Sequence, residues 1–197
     1  MGDPLVEASA LLWSVTAMSE ATARLAQAGI WDLARAQVVI GEAVWWVTLV
    51  DATLVRHHAE VYDAVVAGQF AAQRPLIEAT LAGLRFVRNQ AHDEAGLAHF
   101  VQAAGAGPAA ADGRTTGWRW MPVSRPVLMT LSPRAQACEM TRYQAYQAHL
   151  AGFTIGEIFR RATTFLTLTA ANAGSLGDLA YAHASNERMN RPEVGQS

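Results

Sequence analysis

The chain has 197 residues, 51% of them hydrophobic and 16% charged, with a mean hydropathy of +0.10, which excludes a disordered chain and allows one domain-sized core. All 15 basic residues are arginine and about a fifth of the chain is alanine, a bias toward helix that GC-rich coding also explains. A formal charge of −2 excludes a broadly basic nucleic-acid-binding surface but leaves room for a local arginine site, and a single cysteine, Cys138, excludes an intramolecular disulfide framework and Cys-rich zinc sites.

The start of the chain, Met-Gly-Asp-Pro-Leu-Val-Glu, lacks the basic and apolar regions of a signal peptide. The longest apolar stretch, Val38 to Val50, contains Gly41 and Glu42 and is shorter than the roughly 20 residues of a membrane span. A cytoplasmic protein without a membrane segment is the expectation. Asp3 and Pro4 can open a helix that runs to about Gln27, where Gly29 supplies a left-handed cap. Asp32 can cap a second helix from Leu33 to about Val66; around Trp45 and Trp46 it is apolar on nearly all faces, which predicts a central position. Its later part, Arg56-His57-His58-Ala59-Glu60, turns polar.

A third helix is predicted from Arg74 to Gln90 and a short one from Glu94 to Ala103. Residues 104–117 are mostly Gly, Ala, Asp and Thr and read as a loop. Trp118-Arg119-Trp120-Met121-Pro122-Val123 reads as a short strand or an extended segment, with no partner strand evident. Helices from Pro133 to Ala151 and from Thr154 to Ala170 follow, the latter opened by a capping-box spacing of Thr154 and Glu157. Leu176 to His183 can be helical, and residues 185–197 read as a loose tail. The expected architecture is one all-α domain, an up-and-down bundle of five to six helices with an irregular Pro- and Trp-containing insertion over residues 104–133.

The decapeptide Leu84-Arg85-Phe86-Val87-Arg88-Asn89-Gln90-Ala91-His92-Asp93 carries the most chemistry. Arg85, Arg88 and His92 are spaced by three and four, so a helix persisting through His92 projects all three from one face. Two arginines can hold a phosphate by charge-assisted bonds, and a histidine can move a proton at neutral pH. That set suffices for RNA cleavage without a metal: the imidazole takes the ribose 2′-hydroxyl proton and the guanidinium stabilises the phosphorane. Asn89 can orient the phosphate or cap the helix. The same residues have a plain structural role, because cations complement a helix C-terminus and His92 can cap it.

Arg88-Asn89 followed by His92, near the end of a helix in an all-α chain, resembles the signature of the HEPN superfamily of helical ribonuclease toxins and defence proteins. The runs from Glu42 to Asp51 and from Leu81 to Asn89 also resemble a group of uncharacterised actinobacterial proteins, over residues 35 to 165. The resemblance implies a four-helix core, a homodimer formed through the motif helices, a ribonuclease site shared across it, and, for a toxin or phage-defence protein, a protein partner such as an antitoxin. The family pattern is Arg, a polar residue, then His after four to six intervening positions. Here Arg88 and His92 are separated by three; Arg85 and His92 by six, but with Phe86 in the polar place.

Glu42 lies in the most apolar part of the chain, where an ionised carboxylate needs a partner. Pairing with Arg85, Arg88 or His92 is favoured over an exposed position, with Asp51 the weaker candidate for that role. His57-His58 with Glu60, and His92-Asp93-Glu94 with His99, lack the spacing of a zinc helix, so neither a metal nor another cofactor is expected. Charge is unevenly divided: residues 1–98 carry 6 Arg against 11 acids, and residues 99–197 carry 9 Arg against 6 acids. Arg119 between Trp118 and Trp120 suits stacking on unpaired bases; alternatively the tryptophans are buried. A noncatalytic interaction protein that binds a protein partner through this insertion is the competing function.

Overall fold

The computed structural model describes residues 4–27, 33–91, 96–103, 117–128 and 131–189, and the architecture is an all-α bundle. The candidate caps Asp3, Gly29 and Asp32, His92 through Glu94, and most of the Gly-Ala loop lie outside those residues. Helix α1 spans Pro4–Gln27, α2 Leu33–His57, α3 Ala59–Ala67, α4 Arg74–Gln90, α5 Pro133–His149 and α6 Ile155–Met189. Prolines open α4 and α5 within their first turn, where no backbone donor is required. Ser132 caps α5, its Oγ accepting from the amide of Ala135 at 3.4 Å. Thr154 caps α6 by accepting from the amide of Glu157 at 3.2 Å, while the Glu157 carboxylate turns to Arg161 at 3.3 Å instead of closing the capping box.

The second predicted helix is two helices. At His58 the backbone leaves the helical region (φ −135°, ψ 37°), and the chain restarts as α3. The redirection buries Val65 and Val66 and sets the Tyr62 ring edge-on to Phe165 of α6, with centroids 4.9 Å apart. A straight continuation of α2 could not serve that packing. Nor is α2 covered on all sides: Val38 is 69% and Trp45 44% exposed, although Ile40, Ala43, Val47, Val50 and Leu54 are fully buried. Gly41 and Glu42 leave the helix unbroken, and its 25 residues are long and apolar enough to cross a membrane by length and composition, with 44% of the most apolar window buried inside the bundle.

The predicted helix at 94–103 is replaced, over its described part, by a 3₁₀ turn, Gly96–His99, and strand β1, Val101–Ala103. β1 pairs antiparallel with β2, Trp118–Trp120, in the register Val101 to Trp120 and Ala103 to Trp118, supplying the partner strand that sequence pattern leaves unidentified. Two β-branched or aromatic side chains, Val101 and Trp120, face the core from this ladder and outweigh the helical preference of the alanines around them. On its other side β2 is closed by the α5–α6 junction, where the Trp120 amide donates to Phe153 O (3.1 Å) and the Gly152 amide donates to Trp120 O (2.7 Å). Gly152 turns the chain there at φ +85°, a left-handed conformation that suits glycine. The end of the chain also differs from expectation, because α6 continues through residue 185 to Met189.

The core is aromatic where α4, α5 and the strands meet. Phe86 lies 5.6 Å from Tyr146 and 6.0 Å from Phe100, and Trp120 packs on Tyr146 and Phe159. α4 and α5 cross closely because Gly83 has no side chain: a Cβ there would stand 2.6 Å from Leu150 Cδ1 and 3.2 Å from the Tyr146 Cα. Gly83→Ala is therefore expected to lower stability by about 1–3 kcal/mol despite the better helix propensity of alanine, measurable by urea unfolding.

Burial lifts the phenols of Tyr62 and Tyr146 well above the usual tyrosine range. The unfolded chain ionises both near pH 10 while the folded chain keeps them neutral. Their contribution is whole below that pH and lost above it. Urea midpoints should fall between pH 9 and pH 11, and by less in Tyr62→Phe.

Candidate functional site

The last two turns of α4 send their polar side chains to different neighbours. Arg85 points at α2, where its Nε donates to Asp51 Oδ2 at 2.7 Å and its guanidinium forms an ion pair with the same carboxylate. Asp51 is fully buried and takes a further bond from the Tyr62 hydroxyl at 3.4 Å. Burial raises the Asp51 pKa above the usual carboxylate range, and the Arg85 charge and hydrogen bond pull against that rise. Asn89 turns to α5, its Nδ2 donating to Glu139 Oε2 at 3.0 Å, and Gln90 Nε2 donates to Oε1 at 3.4 Å. Glu139 is itself buried and receives a third bond from Arg142 at 3.1 Å. Asn89, Gln90 and Arg142 therefore satisfy a carboxylate that would otherwise be costly to bury.

Arg88 is treated differently. Its Cζ lies 4.5 Å from the centroid of the Trp45 ring on α2, and no carboxylate pairs with it among the described residues. Beside it is a cavity of about 140 Å³ lined by Gly41, Val44, Trp45, Arg88, Ala91 and Leu97. Arg88 thus keeps donors available at the rim of an apolar recess. The position of His92 falls outside the described residues, so the three-residue set predicted on one helix face reduces here to Arg88, with Arg85 neutralised by Asp51 and Asn89 engaged on Glu139.

Among the described residues, the favoured pairing of Glu42 with Arg85 or Arg88 is not formed. Its carboxylate pairs instead with Arg24 of α1, on a partly exposed face, and the lesser candidate, Asp51, holds Arg85. Helix angle explains the exchange: Asp51 falls on the buried stripe with Val44, Val47 and Leu54, whereas Glu42 lies on the opposite side, toward α1.

The Trp118-Arg119-Trp120 segment does not form a stacking platform. Trp120 is sealed in the core, its Nε1 without a hydrogen-bond partner, and Trp118 packs partly against the core. Arg119 is exposed and its Nη1 donates to Gly152 O at 3.2 Å, fastening the ladder to the α5–α6 junction. Trp45 and Gly41, which shape the recess, went unmarked as site residues in the sequence because they sit inside one continuous apolar run. No group of three or more His, Cys, Asp or Glu able to hold a metal occurs among the described residues. No protein-family model, curated protein or solved structure matches the chain.

Removing the Arg85 cation leaves Asp51 buried and unpaired. Arg85→Met is expected to destabilise the fold by about 3–5 kcal/mol at neutral pH. Because burial already lifts the Asp51 pKa and loss of the cation lifts it further, the folded variant takes up that proton more readily than the unfolded chain. The penalty should therefore shrink as pH falls from 7 toward 5; a penalty that is constant with pH would contradict the assignment.

Proposed function

We propose that the chain binds a phosphate-bearing ligand at Arg88, with RNA as the ligand implied by the HEPN resemblance. The observation that carries this reading is the Arg88 guanidinium, held over Trp45 at the mouth of a recess and unpaired by carboxylate among the described residues. A cation positioned by an aromatic ring keeps its N–H donors free for phosphate oxygens. The partly exposed indole of Trp45 adds a surface for an unpaired base. If the bound RNA is cut, His92 takes the 2′-hydroxyl proton, the 2′-oxygen attacks phosphorus, and the P–O5′ bond breaks with the 5′-oxygen taking a proton from water to leave as a hydroxyl, giving a 2′,3′-cyclic phosphate. Arg88 stabilises the charge on the phosphorane and no metal takes part. Such an activity suits a cytoplasmic toxin or phage-defence ribonuclease with an antitoxin-like partner.

Arg85 and Asn89 then act by position, holding α4 against α2 and α5. The competing reading, an interaction protein that docks through the Trp-containing insertion, finds Trp120 buried and Trp118 partly so, while Val127 and Leu131 of the insertion are exposed, as are apolar side chains of α1 and α2.

Fluorescence anisotropy with a short single-stranded RNA in EDTA tests the binding step. Arg88→Ala should weaken binding about tenfold or more and flatten its salt dependence. His92→Ala should retain binding and abolish cleavage. Equal affinity of the wild type and Arg88→Ala would remove Arg88 from the function, and undiminished cleavage by His92→Ala would remove the mechanism.

A further inference from the structure

The recess beside Arg88 is built from three elements. Gly41, Val44 and Trp45 stand at i, i+3 and i+4 on α2, Arg88 and Ala91 lie one turn apart where α4 ends, and Leu97 comes from the 3₁₀ turn Gly96–His99. Gly41 admits Leu97 as one wall, since a Cβ there would stand 2.9 Å from Leu97 Cδ1. Val44 and Leu97 are held in the core, 2% and 8% exposed, and form the inner walls. Trp45 and Arg88 are only partly covered and form the mouth. Among the described lining residues, the side chains able to hydrogen-bond are these two, so the inner walls are apolar.

Volume and polarity narrow the occupant. The recess measures about 140 Å³, close to the about 150 Å³ of an apolar cavity that takes up one benzene molecule. A single six-membered ring therefore fits, and a fused two-ring system does not. A polar group pushed among Gly41, Val44 and Leu97 would lose its water without gaining a partner. Of the nucleobases, a pyrimidine meets both conditions. Its C5–C6 edge carries only carbon-bound hydrogens and can enter first, leaving its carbonyl, amine and ring-nitrogen groups at the mouth with water and Arg88. A purine is larger, and the edge that would enter carries N7, an acceptor for which the inner walls hold no side-chain donor.

We infer that the recess selects the base of the nucleotide whose phosphate Arg88 holds, taking a pyrimidine in preference to a purine. This rests on phosphate binding at Arg88 and adds base selection to it. Val44, Ala91 and Leu97 discriminate by size and apolarity, without reading a hydrogen-bond pattern, so uracil and cytosine are treated alike. Stacking on Trp45 supplies an attraction that any base can use, and the inner walls supply the choice.

Isothermal titration calorimetry of the full chain with the 3′-monophosphates of uridine, cytidine and adenosine, in EDTA, tests the choice. The two pyrimidine nucleotides should bind alike and about tenfold tighter than the adenosine nucleotide. Ala91→Leu, which grows a side chain into the recess, should bring all three to within about twofold of one another, and Leu97→Ala, which widens it, should narrow the preference by admitting the purine. Ala91 is partly exposed, so its variant does not depend on the core that Leu97→Ala disturbs. Equal affinity for the uridine and adenosine nucleotides, a purine preference, a pyrimidine preference that survives Ala91→Leu, or no binding of any of the three at millimolar concentration would each overturn the inference. Arg88→Ala separates it from the reading beneath it. Binding that is lost in that variant but indifferent to the base leaves phosphate at Arg88 and removes base selection alone, whereas binding that persists removes Arg88 as well.

Discussion

Two carboxylates withdrawn from water, Asp51 on α2 and Glu139 on α5, fix where α4 lies. Neither could be buried at tolerable cost without donors, and α4 provides them on two sides: Arg85 for Asp51, Asn89 and Gln90 for Glu139. Apolar packing alone would let α4 rotate or slide with little penalty, since its buried face is a mixture of similar aliphatic and aromatic groups. The polar contacts remove that freedom, because a shift of one residue along the helix would leave a buried charge unmatched. Gly83 sets the depth of the same contact by admitting Leu150 against the α4 backbone.

With Arg85, Asn89 and Gln90 committed to holding the bundle together, Arg88 is the α4 cation that pairs with no carboxylate among the described residues. It is held by a ring where its neighbours are held by acids. The distinction matters chemically, for an arginine locked to a carboxylate has spent both its charge and its directed donors, whereas one lying over an indole has spent neither. The separation of duties along six residues of one helix is what gives the Arg88 recess its claim as a site.

Much of the helical content was legible because its signals are local. Pro4, Pro75 and Pro133 mark helix starts, Thr154 caps the last helix, and the apolar periodicity from Leu76 to Val87 matches the buried face of α4. The break at His58 was not legible, since neither glycine nor proline marks it and its cause is Tyr62 meeting a ring a hundred residues later. The β1–β2 pairing escaped for the same reason: three-residue strands carry too little pattern, and their partner and register are set by burial of Trp120. At the site, the spacing of Arg85 and Arg88 goes with both reaching α2. It could not assign partners, because choosing Asp51 over Glu42 depends on which side of α2 faces α4, and pairing Asn89 with Glu139 depends on a crossing fifty residues away.

The short ladder has one further consequence. Ala103 and Trp118, which flank the 104–116 interval, are partners across the ladder, and β2 is fastened on its other side by the Gly152 turn. The ends of the interval are thus set by the fold rather than by its own length. Closing a longer loop between fixed points costs little, about 0.6 kcal/mol for each doubling. A change in chain length between Ala103 and Trp118 is therefore expected to cost the β1–β2 pairing little.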